Sequence, residues 1–129
     1  MIVGLSPDLP LRCLVVATSA IRDEGTSYHY LPPSREIACK SPVVPLLERE
    51  LIATGWAVRS GRVRTTDAPY RETKTQLNKW AREGALAVEM QTASLFAFGH
   101  GRGQKSQSNH GLQAPLKHIF LLLSPRRDF

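Results

Sequence analysis

A chain of 129 residues with 42 % apolar and 22 % charged content is bounded at one domain and excluded from wholesale disorder. The net charge of +6 is uneven: residues 1–98 carry twelve Lys and Arg against ten Asp and Glu, and residues 99–129 carry five against one. The excess therefore belongs to a short tail rather than to a basic face built for nucleic acid.

Two cysteines, Cys13 and Cys39, are too few for a disulfide framework and have no CxxC spacing, so they read as reduced thiols of a cytoplasmic protein. No apolar run approaches the ~20 residues of a membrane helix. The start, MIVGLSPDLPLR, lacks the basic region and long apolar core of a signal peptide.

In chain order, residues 1–10 form an N-terminal lead. Leu11 to Ala17, LRCLVVA, is a β-branched run that predicts a buried strand. TSAIRDEGTSYHYLPPS is then expected to be loop. Ser41-Pro42 predicts an N-cap with proline in the first turn. The following helix places Val44, Leu47, Leu51 and Ile52 on one face and stops at Gly55. Trp56 to Thr65 alternates as a strand, with Gly61 as a candidate bulge. A helix carrying Leu77, Trp80 and Ala81 ends at Gly84. Ala85 to Val88 is a short strand, and Thr92 to Phe98 opens a third helix. Strand and helix alternate three times, which predicts an α/β layer fold.

Ligands of such folds collect at the carboxyl ends of the strands. Three polar clusters fall there: Arg22-Asp23-Glu24, Thr65-Thr66-Asp67 and Glu89-Met90-Gln91. The first is more simply a salt-bridged loop than an anion site. Tyr28-His29-Tyr30 either stacks on a flat ring or packs its own loop. No histidine has a second ligand at metal spacing, so no metal site is expected. Gly99-His100-Gly101-Arg102-Gly103 follows a helix instead of a strand and is not a dinucleotide loop. Glu89 has two readings. Either it caps a helix N-terminus, satisfied by backbone N–H groups, or Glu89 or Gln91 grips a pair of sugar hydroxyls while Met90 packs on the sugar. Chemistry alone leaves these level.

Three segments, VVATSAIRDEGTSYHYLPP, GRVRTTDAPYRET and GALAVEMQTASLFAF, resemble the central region of the nucleoside phosphorylase family, on its uridine phosphorylase side. The resemblance runs from about Leu14 to Phe98. It implies a fragment of a three-layer α/β/α fold with a central mixed sheet, and phosphate-dependent cleavage of a nucleoside N-glycosidic bond to base and ribose-1-phosphate. Inorganic phosphate is then the co-substrate and no organic cofactor is needed. Glu89, Met90 and Gln91 fall on the ribose-binding segment, with Gln91 in place of the commoner glutamate. Thr66, Asp67 and Tyr70 fall on the base-pocket turn, while Arg71 and Gln76 stand at the wrong offsets for the uridine-specific Gln-x-Arg pair.

The family is about twice this length, and its glycine-rich phosphate loop has no counterpart before Leu11. The expectation is a partial domain over residues 11–98 followed by a divergent, poorly ordered basic tail over 99–129. A truncated gene product with a shifted reading frame at its C-terminus fits both ends. Such a chain is expected to be weakly active or inactive alone, with no catalytic residue assigned. A nucleoside and a second copy of the chain are its expected partners, with no membrane and no nucleic acid. The alternatives are a non-catalytic nucleoside-binding module and a basic nucleic-acid-associated protein acting through the tail.

Overall fold

Cys13, Leu14, Val15, Val16 and Ala17 are apolar in unbroken succession, and a strand of that composition is stable only with both faces covered. The computed structural model, which describes residues 2–10, 12–103 and 121–124, places them inside a six-stranded mixed sheet. The strands are β1 (Val3–Gly4), β2 (Cys13–Asp23), β3 (Glu36–Ala38), β4 (Val58–Thr66), β5 (Ala87–Glu89) and β6 (Leu121–Ser124). They lie in the order β1-β5-β4-β2-β3, with β6 also pairing β2. β2, β4 and β5 are parallel, and β1, β3 and β6 are antiparallel to their neighbours.

Helices α1 (Val43–Ala53) and α2 (Lys74–Arg82) connect the parallel strands, and α3 (Thr92–Gly103) follows β5. The expected alternation of strand and helix is met by β2, α1, β4, α2, β5 and α3, whereas β1, β3 and β6 are further strands that it did not include. Cys13, Val15, Ala17 and Ala20 of β2 join Val63 and Ala87 in a core closed by Ala93, Phe96 and Ala97 of α3. α1 packs on β2 and β4. α2 buries no residue fully and meets the sheet through Trp80, whose ring lies 5.0 Å from the Arg64 guanidinium.

Helix ends follow local chemistry. Gly55 and Gly84 take φ of +87° and +88° just past α1 and α2, a conformation open to glycine at little cost. Thr73 and Gln76 form a reciprocal capping box at the start of α2. At α1 the expected boundary moves by one residue: Pro42 is the N-cap and the helix starts at Val43. Its expected apolar face is incomplete too. Val44 is buried, but Ile52 is exposed at the far end.

Two further expectations are corrected. β2 does not stop at Ala17 but continues to Asp23, because Ala20 and Ile21 remain buried and pair with β4 throughout. The bulge is not at Gly61. The register passes from Ala17↔Gly61 to Ser19↔Arg62, which leaves Thr18 as the extra residue. Gly61 serves a close approach instead: a Cβ there would stand 2.8 Å from Leu86 Cδ1.

The N-terminal lead contributes β1, which pairs with β5, and a buried Leu9. α3 runs past Phe98 to Gly103, and β6 falls within the expected tail. The rest of that tail, residues 104–120 and 125–129, lies outside the described residues, His110 and His118 included. Among the described residues no helix is long and apolar enough to cross a membrane. Cys13 and Cys39 are both free thiols.

Candidate functional site

The register brings the three polar clusters to one end of the sheet. Asp23 of β2 stands opposite Thr66 of β4, and Thr65 opposite Glu89 of β5. Glu89, only 2 % exposed, has both carboxylate oxygens engaged. One accepts from the Thr65 hydroxyl, and the other accepts the backbone N–H groups of Gln91 at 2.5 Å and Thr92 at 2.8 Å. The Thr65 oxygen in turn accepts the Ala93 N–H at 2.9 Å. Glu89 is thus the acid at the N-terminus of α3, where orphan N–H groups and the helix dipole favour negative charge. Met90, 40 % exposed, and Gln91, also exposed, begin the turn outside this lock. The Thr92 hydroxyl is buried there without a hydrogen-bond partner.

On the other face, Arg64 is buried at 3 % exposure and forms ion pairs with Asp23 and Glu72. Trp80 is bordered by three cations, Arg64 and Lys79 at 5.0 Å and Arg35 at 5.8 Å. Beside this network lies a cleft of about 250 Å³ whose walls include Asp23, Arg64, Thr66, Asp67 and Glu72. Arg71 and Gln76 also line it. Drug-sized ligands occupy clefts of about 300–1,000 Å³, so this one suits a small polar group rather than a whole nucleoside. Three carboxylates face two guanidiniums in it, which favours a ligand that both donates and accepts hydrogen bonds.

A third network fixes the loop after β2. Arg22 donates to the Ser27 hydroxyl at 2.8 Å, the Pro32 carbonyl at 2.7 Å, the Ser34 hydroxyl at 2.8 Å and the Leu31 carbonyl at 3.2 Å. Its guanidinium also lies 3.9 Å from the Tyr28 ring centroid. Glu24 accepts the Ser27 N–H at 2.7 Å and the Ser94 hydroxyl of α3 at 3.1 Å. The Gly25 N–H reaches Asp67 at 3.0 Å and so joins this loop to the turn after β4. Tyr30 packs edge-on against Phe98 at 5.4 Å.

Of the residues singled out in the sequence, Thr66 and Asp67 line the cleft, whereas Tyr70 is 99 % exposed on the 3-10 turn Pro69–Arg71. Glu89, Met90 and Gln91 do not line the cleft; they form the adjoining corner at the tip of β5. Sequence reasoning missed Arg64, Glu72 and the loop-holding part of Arg22. The pattern that points to the first was present. Arg62 and Arg64 stand two apart on one face of a strand, and each finds a carboxylate, Glu36 for Arg62 at 2.9 Å. Among the described residues no three His, Cys, Asp or Glu are grouped to hold a metal ion.

The family model of the Phosphorylase superfamily matches residues 4–107. The chain belongs to this superfamily. Its alignment takes in residues 4–10 of the lead and all three polar clusters, and extends at both ends past the resemblance at Leu14 to Phe98. The chain is 29 % identical over 109 residues to guanosine phosphorylase of Halorubrum lacusprofundi, covering 80 % of this chain and 43 % of that one. It is 31 % identical over 99 residues to the DeoD-type purine nucleoside phosphorylase of Caldanaerobacter subterraneus subsp. tengcongensis, covering 72 % and 40 %. The uridine phosphorylase structure from Vibrio fischeri superposes with a TM-score of 0.71 at 28 % identity, over 79 % of this chain and 43 % of that one. This phosphorylase-superfamily chain thus spans about two-fifths of the length of its relatives, and its sheet is part of their α/β fold.

Proposed function

We propose that this chain is a nucleoside phosphorylase-like module that recognises a nucleoside and, by itself, turns it over weakly or not at all. Met90 and Gln91 meet the ribose, and Thr66, Asp67 and Tyr70 lie toward the base. Glu89 acts as the positioning residue that holds the Met90-Gln91 turn, since its oxygens are already engaged. The observation that carries this reading is the register that sets Asp23 beside Thr66 and Thr65 beside Glu89, inside a stretch matched to the superfamily.

The reaction of the whole fold is proposed to be reversible phosphorolysis of the N-glycosidic bond, with inorganic phosphate as co-substrate and no organic cofactor. Catalysis then rests on positioning and on electrostatic stabilisation of a cationic sugar. An amide at Gln91 hydrogen-bonds a sugar hydroxyl but adds no negative charge beside that cation, which lowers turnover. We place the protein in the cytoplasm, with association of copies as a further expectation.

Isothermal titration of the full chain with uridine, inosine and guanosine tests recognition. A saturable heat with one of them, lost in Gln91→Ala while the circular dichroism is kept, supports it. No heat with any of the three overturns it. Rapid phosphate-dependent release of a free base, abolished by Gln91→Ala, would contradict the proposed weakness of turnover.

A further inference from the structure

β6 lies beyond residues 4–107, the stretch matched to the superfamily, yet it pairs with the sheet those residues build. One flank of β2 is lined by β4 from Leu14 to Asp23. On the other flank β3 covers only Ser19–Ile21, and Cys13–Val16 face β6. The part that β3 leaves uncovered is the most apolar of the strand, with Cys13, Val15 and Val16 wholly buried.

Backbone direction fixes what that edge offers. The Leu14 N–H donates to the Ala57 carbonyl at 2.8 Å, on the β4 side. Alternation then turns the N–H and C=O groups of Cys13 and Val15 toward β6, so their partners Ser124 and Leu122 form hydrogen-bonded pairs. An uncovered apolar edge of this kind is a template for pairing with another chain.

We propose that Leu121–Ser124 is an edge-closing strand, which caps the Cys13–Val16 edge of its own chain and keeps it from pairing with a second copy. The tether through residues 104–120 favours the intramolecular occupant. Covalent linkage within one chain gives an effective concentration on the order of mM, above that of a second copy at ordinary protein concentrations.

The test uses the full chain. Hydrogen exchange should find the Val15 amide protected in the wild type; an unprotected Val15 amide overturns the proposal without any variant. Leu122→Pro removes the N–H that faces Val15. It should speed Val15 exchange at least about tenfold and give sedimenting species larger than those of the wild type as concentration rises. Unchanged exchange and sedimentation overturn the proposal.

A second variant does not depend on disruption. Leu14→Cys with Leu123→Cys, in a Cys13→Ser, Cys39→Ser background, sets two thiols across the adjacent non-hydrogen-bonded pair, where side chains approach most closely and the Cα separation of about 4.5 Å lies within disulfide range. Mild oxidation should form the bond within one chain. No bond, or a bond only between chains, overturns the proposal.

Discussion

The Thr65 hydroxyl donates to the Glu89 carboxylate while its oxygen accepts the Ala93 N–H at 2.9 Å, so one side chain joins the tips of β4 and β5 to the start of α3. Thr65→Val leaves both partners buried and unmet, and should lower the unfolding free energy by about 1–3 kcal/mol. Glu89→Ala should cost about 1.5–3 kcal/mol by the loss of charge-assisted bonds. Because they share one network, the double variant should fall short of the sum by more than about 0.5 kcal/mol in urea denaturation. Simple additivity would refute the coupling.

Arg64 is the next point of sensitivity. Arg64→Met strands the Glu72 carboxylate, whose side chain is 8 % exposed, and should destabilise the fold by about 3–5 kcal/mol. Arg64→Lys cannot reproduce a fork that meets Asp23 and Glu72 together, so it should recover only part of the loss. Thermal melts of the two variants decide this; equal melting temperatures for Lys and wild type would count against it.

Glu36 gives the fold a pH dependence. Burial pushes its carboxyl up, but a hydrogen bond from Ser19 and the Arg62 guanidinium outweigh that and hold it below the ordinary glutamate value. A depressed folded pKa stabilises above the unfolded value of about 4.3, and that gain is lost as pH falls through the folded value. Glu36→Gln should therefore lower the urea midpoint at pH 7 and leave it closer to wild type at pH 3. A constant difference between the two pH values would exclude this titration.

The two thiols should differ in reactivity. Burial pushes the Cys13 thiol up, against the opposing pull of Arg59, whereas Cys39 is half-buried at the end of β3. Since the thiolate is the nucleophile, iodoacetamide at pH 7 should modify Cys39 well before Cys13. Peptide mass mapping over time reads the order directly, and equal rates would mean that β2 is not enclosed as described.

The order β2, α1, β4, α2, β5, α3 was legible because LRCLVVA, the Ser41-Pro42 start and the glycine stops are local patterns. The convergence of polar clusters was legible too, since parallel strands put their loops at one end. The continuation of β2 through Arg22 was not. A guanidinium belongs in a strand interior only when partners are brought to it, and its partners sit on Ser27, Leu31, Pro32 and Ser34 in the loop beyond. Nor could spacing show how the Glu89 carboxylate is satisfied; that needed the hydroxyl of Thr65, which the fold brings across from another strand.

Thr18 decides more than a local kink. Before it, Cys13, Val15 and Ala17 face the α3 side; after it, Ala20 does, and Arg22 with it, so the parity of the strand has flipped. That flip sends Asp23 to the opposite side, where it meets Arg64. The chain thus sorts a cation and an anion that are neighbours in sequence onto separate surfaces by counting residues, and a regular strand that kept Thr18 without the bulge would exchange them. A guanidinium would then face Arg64, and a carboxylate would stand among the loop carbonyls, with every side-chain identity in the strand tip unchanged.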